Sequence, residues 1–206
     1  TKLIINANKN HDNEDDTPLL TEEQIDECFS KVLDPKLYTE AISNLNQYLE
    51  QKLISNIFFK TIFSLLESFN ILLQNKEIQD LNHINSIIDL FYHLVESDIV
   101  LSDKLIRRDI HQIFYPFIQQ PITLRLFDQL LFQDEPPKKL KHKEKLPQDH
   151  DERQIVYEKI STKNGFNSVA HFCIENDISS KLLEALNTPE SVLDVLKIVR
   201  TFGEYS

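Results

Sequence analysis

Glycine is almost missing from this chain: 2 occur in 206 residues, where average usage of about 7% would supply roughly fourteen. Phosphate-cradling loops, dinucleotide-binding turns and tight hairpins all draw on glycine's freedom at positive φ, so most nucleotide enzymes and most β folds are excluded. Cysteine is nearly as scarce, with Cys28 and Cys173 far apart and no Asn-x-Ser/Thr acceptor anywhere. Without a disulfide framework or a glycosylation site, the expected setting is intracellular. Methionine is absent altogether and the first residue is Thr1, so a fragment or a processed product is expected. Positive charge is also short, at 22 Lys and Arg against 33 Asp and Glu for a net charge of −11. A chain of that sign repels a phosphate backbone, so direct nucleic-acid binding is not expected.

The longest apolar run, Leu53 to Leu73, is not uniformly apolar. Asn56, Lys60, Ser64, Glu67 and Gln74 fall at steps of three, four or seven, which places them in one stripe along a helix. One wet stripe on an apolar helix predicts burial between other helices, with no membrane span.

What is plentiful is helical periodicity. Residues 1–20 hold His11, Asp12, Asn13, Glu14, Asp15 and Asp16 without an apolar pattern, and read as a flexible acidic lead. Thr21 and Gln24 form a capping-box signature ahead of Ile25, Cys28, Phe29 and Val32. Asp34-Pro35 then signals a second helix, as N-cap and first helical position, running through Leu37, Tyr38, Ala41, Ile42, Leu45, Tyr48 and Leu49. Helical spacing continues from Ile78 to Val95, and from Leu105 to Phe117 after Asp103, where Pro116 should end or kink the helix. Pro121 to Phe132 gives another, with Leu124, Phe127, Leu130 and Leu131 inward. Prolines 136, 137 and 147 break all periodicity, which predicts a charged mobile loop over 134–151. Shorter helices are expected at 152–162, 165–175, 178–187 and 189–202, the last opened by Thr188-Pro189. No segment alternates with period two, so the fold class is all-α. The helical region 21–133 and its continuation 152–206 form one domain in this reading.

Helix pairs recur at about 35–47 residues, within the range of two- and three-helix solenoid repeats. The last forty residues resemble an armadillo repeat. Ile178, Leu182, Leu183 and Leu186, the turn Asn187-Thr188-Pro189-Glu190, and then Val192, Leu193, Leu196, Val199 and Phe202 look like that family's second and third helices. The family's usual glycine is missing near Asn176-Asp177, which leaves armadillo and the related HEAT type both open. The resemblance implies a helical-hairpin solenoid that binds a partner protein along its surface; an irregular helical bundle is the alternative. Asparagine ladders that hold extended peptides in some armadillo proteins have no counterpart, since the corresponding helix offers Asp194, Lys197 and Arg200.

Between Lys138 and Lys145 lie five lysines (Lys138, Lys139, Lys141, Lys143 and Lys145) and Glu144, a net +4 inside an acidic chain. Lysines after a proline pair resemble a nuclear import signal, whose receptors take successive lysines into acidic pockets; a merely solvated loop, or a patch for phosphate or an acidic partner, stays open. Arg107 and Arg108, with Lys104 and His111, form a basic face near Phe58, Phe59, Phe63, Phe91, Tyr92, Phe114, Tyr115 and Phe117. Aromatics at that spacing are core, and Arg107 and Arg108 are candidates for the rim of a partner groove. His171 and Cys173 lack the further ligands a zinc site needs, both cysteines read as core, and no cofactor is expected. No serine elbow or buried carboxylate pair stands out. The expected function is therefore a non-catalytic scaffold or adaptor subunit in a nuclear protein complex, the alternatives being a helical regulatory or catalytic domain of a larger enzyme and a cytoplasmic location.

Overall fold

The computed structural model describes residues 20–51, 54–132 and 166–204; helix accounts for 81% of them and no strand occurs among them. The chain is all-α. Helix α1 (Glu22–Lys31) opens on the reciprocal cap its sequence encodes: Thr21 Oγ1 accepts from the Gln24 N–H at 3.3 Å, and Gln24 Oε1 accepts from the Thr21 N–H at 2.8 Å. Two donors that an isolated helix start leaves unpaired are thereby satisfied. At Asp34-Pro35 the carboxylate accepts from the Lys36 N–H at 2.8 Å and the Asp34 carbonyl from the Tyr38 N–H at 3.0 Å. The signal thus makes a turn first, and α2 proper spans Tyr38–Gln51, leaving Leu37 exposed.

A 3-10 turn at Asn56–Phe58 leads into α3 (Phe59–Gln74), and Asp80 caps α4 (Leu81–Ser97) by accepting from the Asn82 N–H. The single helix expected up to Phe117 is instead three pieces: α5 (Ile99–Ile106), α6 (Ile110–Phe114) and a 3-10 turn at Tyr115–Phe117. Two causes act. Asp98 caps α5 earlier than Asp103 suggested, and Asp109 adopts φ 58°, which reverses the helical sense for one residue. Pro116 lies in the 3-10 turn, so α6 ends before it. Helix α7 covers Pro121–Phe132 as its sequence predicts, with α8 (Phe166–Glu175), α9 (Ile178–Ala185) and α10 (Val192–Glu204) following. Thr188 does not cap through its hydroxyl; only its carbonyl accepts, from Ser191 in the 3-10 turn Pro189–Ser191. Between α8 and α9 the left-handed residue is Asp177 (φ 53°), whose carboxylate also accepts from the Ser180 N–H, so an aspartate does there what the missing glycine would do.

Helix α4 packs against both α2 and α7, and α7 in turn against α8 and α10, while α1 bridges α2 and α3. The core runs along this succession. Phe69, Phe91, Phe114 and Phe127 are wholly buried, with Phe114 5.6 Å from Phe69 and 5.5 Å from Phe91 between ring centroids. On α7, Leu124, Phe127, Leu130 and Leu131 point inward as predicted, joined by Leu126. Helix α3 departs from expectation. Its polar stripe is exposed, but Ile57 and Ile71 are exposed as well, so it lies on α1 and touches the core mainly through its inner face, which includes Phe69, without being enclosed. The segment Asn56–Gln74 is long and apolar enough, by length and composition, to cross a membrane, and 28% of an 18-residue apolar stretch within it is buried. All but Leu20 of the expected lead over residues 1–20, together with the 134–151 loop and the 152–162 helix, lie outside the described residues.

Candidate functional site at the seam of α4, α7 and α10

Lys138, Lys139, Lys141, Lys143 and Lys145 lie outside the described residues. Arg107 pairs with Asp103 one turn back on α5 at 2.9 Å, which holds its guanidinium protonated to higher pH than usual, and Arg108 lies over the Phe63 ring at 3.7 Å. His111 does not join them. It is buried edge-on against Phe172 at 5.1 Å, and burial pushes its imidazole below the ordinary value, with Asp109 opposing. The basic face is therefore narrower than the sequence suggested. Phe58, Phe59, Phe91 and Phe114 are core, while Phe63, Tyr92, Tyr115 and Phe117 are half-buried. Both cysteines are free and buried, and burial pushes the Cys173 thiol up to about 12, far from nucleophilic.

Charged side chains gather where α4, α7 and α10 meet. Asp194, 4% exposed, takes two cations at once: Arg125 Nε donates to Oδ2 at 3.2 Å and Lys197 Nζ to Oδ1 at 3.3 Å. Such partners offset the cost of taking a carboxylate out of water. Asp128, 9% exposed and one turn along α7 from Leu124, is not so served, because its Oδ1 is out of water with no donor. Burial raises its pKa first of all, Lys197 working against this and Asp194 with it. These groups, together with Tyr92, Gln129 and Leu193, line a cavity of about 290 Å³. Tyr92 donates its hydroxyl to Glu96 at 3.2 Å. Two further bonds cross from the α6–α7 region to the C-terminal helices, Tyr115 to the Asn176 carbonyl at 2.5 Å and Gln119 to Glu184.

Beside the cavity, α10 corrects the sequence reading of its own faces. The side turned to α7 holds Asp194, Val195, Ile198 and Thr201, all buried. Leu193, Leu196 and Val199, expected inside, are 65%, 57% and 51% exposed, and Leu183 on α9 is exposed too. Helix α10 carries two apolar stripes, and the one with Val195 and Ile198, beside the Asp194–Arg125 ion pair, is the one that packs inward. Compared with protein-family models, curated proteins and solved structures, the chain matches none.

Sequence reasoning missed Asp128 as well. Its signal was legible: Asp128 shares a helix face with Leu124, one turn before it, and Leu131, one turn after, where an unpaired charge has no reason to be.

Proposed function

We propose that this chain is a non-catalytic α-solenoid scaffold or adaptor subunit, of armadillo/HEAT type, that binds a partner protein in a nuclear complex. The succession α2, α4, α7, α10, each packed on the next, supports the solenoid reading, since stacked repeats contact mainly their neighbours. The observation that carries partner binding is the outward stripe Leu193, Leu196 and Val199, an apolar surface of the kind that marks protein contact sites. Co-purification from the native source tests it: a partner held at fixed stoichiometry should be lost from the Leu193→Asp, Leu196→Asp double variant, and retention by that variant would refute the stripe. The nuclear part rests on Lys138, Lys139 and Lys141, whose replacement by alanine should move a fluorescent fusion to the cytoplasm without shifting its Tm.

One observation favours the second reading, a regulatory or catalytic domain of a larger enzyme: Tyr92, Arg125, Asp128, Asp194 and Lys197 converge on one cavity. The binding reading is preferred because Arg125 and Lys197 are already engaged by Asp194, and no serine, threonine, cysteine or histidine lines the cavity with them among the described residues.

A further inference from the structure

Around Asp194 the molecule shows solvent its cations and hides its anions. Asp194 and Asp128 are buried, whereas the side chains of Arg125 and Lys197 beside them are 53% and 47% exposed. Asp194 accepts from Arg125 through Nε alone, so the two terminal amino groups of that guanidinium are not spent on it, and a second carboxylate can meet them as a fork. Leu193 lines the same cavity and begins the exposed stripe that continues through Leu196 and Val199. Along α10 from Val192 to Phe202 the exposed charged residues are Lys197 and Arg200, both basic, in a chain of net charge −11. An apolar stripe bordered by cations on an acidic molecule has a definite electrostatic complement.

We propose that the seam of α7 and α10 docks an amphipathic helix of a partner protein, whose apolar stripe lies on Leu193, Leu196 and Val199 and whose acidic border meets Arg125 and Lys197. Resting on the partner-binding reading above, it adds the chemistry of the partner. Leu193 to Val199 rise about 9 Å along α10, a little under two turns, the span over which a facing helix presents its own apolar residues. An extended peptide would need a sheet edge to join, and no strand occurs among the described residues. Two other occupants fit less well. A second copy of the chain, paired through the same stripe, would set Lys197 and Arg200 against their own counterparts. An anionic bilayer would present a broad plane to a molecule of net −11, whereas a docked helix meets only the strip where the sign is reversed. At physiological salt, charges farther off than about 8 Å are largely screened, so the cations of the seam govern the contact.

Three identically labelled helical peptides with the same leucine face, and with glutamate, glutamine or lysine along its borders, test the surface by fluorescence anisotropy on the full chain. The glutamate peptide should bind roughly fivefold tighter than the glutamine peptide, and the lysine peptide most weakly. That advantage should shrink between about 0.05 M and about 0.5 M salt. Lys197→Gln, which leaves Arg125 on Asp194, should remove most of the advantage, and Leu196→Ser should weaken all three peptides. Should Lys197→Gln unfold by circular dichroism, the order of the three peptides and its salt dependence in the wild type decide alone. No binding, equal binding of the three, or preference for the lysine peptide would overturn the proposal. So would tighter binding to vesicles of phosphatidylcholine and phosphatidylserine than to the glutamate peptide, or a dimer in sedimentation velocity that Leu196→Ser dissolves. The two readings fail separately: a native partner lost from the Leu193→Asp, Leu196→Asp variant, with no acidic preference among the peptides, sinks only the chemistry assigned here, whereas a partner kept by that variant sinks the docking surface itself.

Discussion

At the scale of single residues, two buried titratable groups set opposite pH trends. His111 is held below the ordinary imidazole value of about 6.5 by burial, so as pH falls the unfolded chain takes up that proton first. Its share of stability is complete above that value and is lost as pH drops through the window beneath it. Urea midpoints measured at pH 7 and pH 5 should therefore fall further for the wild type than for His111→Leu; equal falls would mean that the ring is charged without penalty. Asp128 runs the other way. Its carboxyl is raised by burial, so the folded chain holds that proton longer, and the cost appears as pH rises past the ordinary carboxyl range of about 4. Asp128→Asn should accordingly raise stability at pH 7 by about 1 kcal/mol, a gain that fades towards pH 3. Destabilisation by that substitution at pH 7 would show that the carboxylate has a partner worth more than its desolvation.

At the scale of elements, α10 gives the sharpest contrast. Ile198 is fully buried against the body of the molecule, and its truncation to alanine should cost about 2–5 kcal/mol in chemical denaturation. Leu196, on the opposite face, should tolerate the same truncation within about 0.5 kcal/mol. The armadillo-like spacing predicts the reverse for Leu196, and the difference locates the limit of what was legible. Local signals were readable: the Thr21–Gln24 cap, the bounds of α7 and the polar stripe of α3 depend on neighbours within a turn or two. Which of two apolar stripes faces inward was not, because it is set by packing on α7, whose Arg125 meets Asp194 across 69 residues of sequence. The exposure of Ile57 and Ile71 was hidden for the same reason, since a stripe pattern shows which side is wet and not how much of the remainder finds a neighbour. The break at Asp109 escaped because a left-handed aspartate carries no periodic signature.

At the scale of the whole molecule, α4 and α7 are flanked on several sides while α3 meets mainly α1. Amide hydrogen exchange should be slowest in α4 and α7 and markedly faster in α3, following the gradient from global to local opening. Uniform protection across the three would contradict that order. The same layout makes the seam around Arg125 a joint between two pieces of chain. Residues 54–132 and 166–204 meet through α7 with α8 and α10, the Arg125–Asp194 pair, and the bonds of Tyr115 to Asn176 and of Gln119 to Glu184. If the polypeptide were divided between positions 132 and 166, those contacts would become an intermolecular interface. The molecule would then behave as a split protein, its reassembly dependent on concentration and its charged latch weakened by salt.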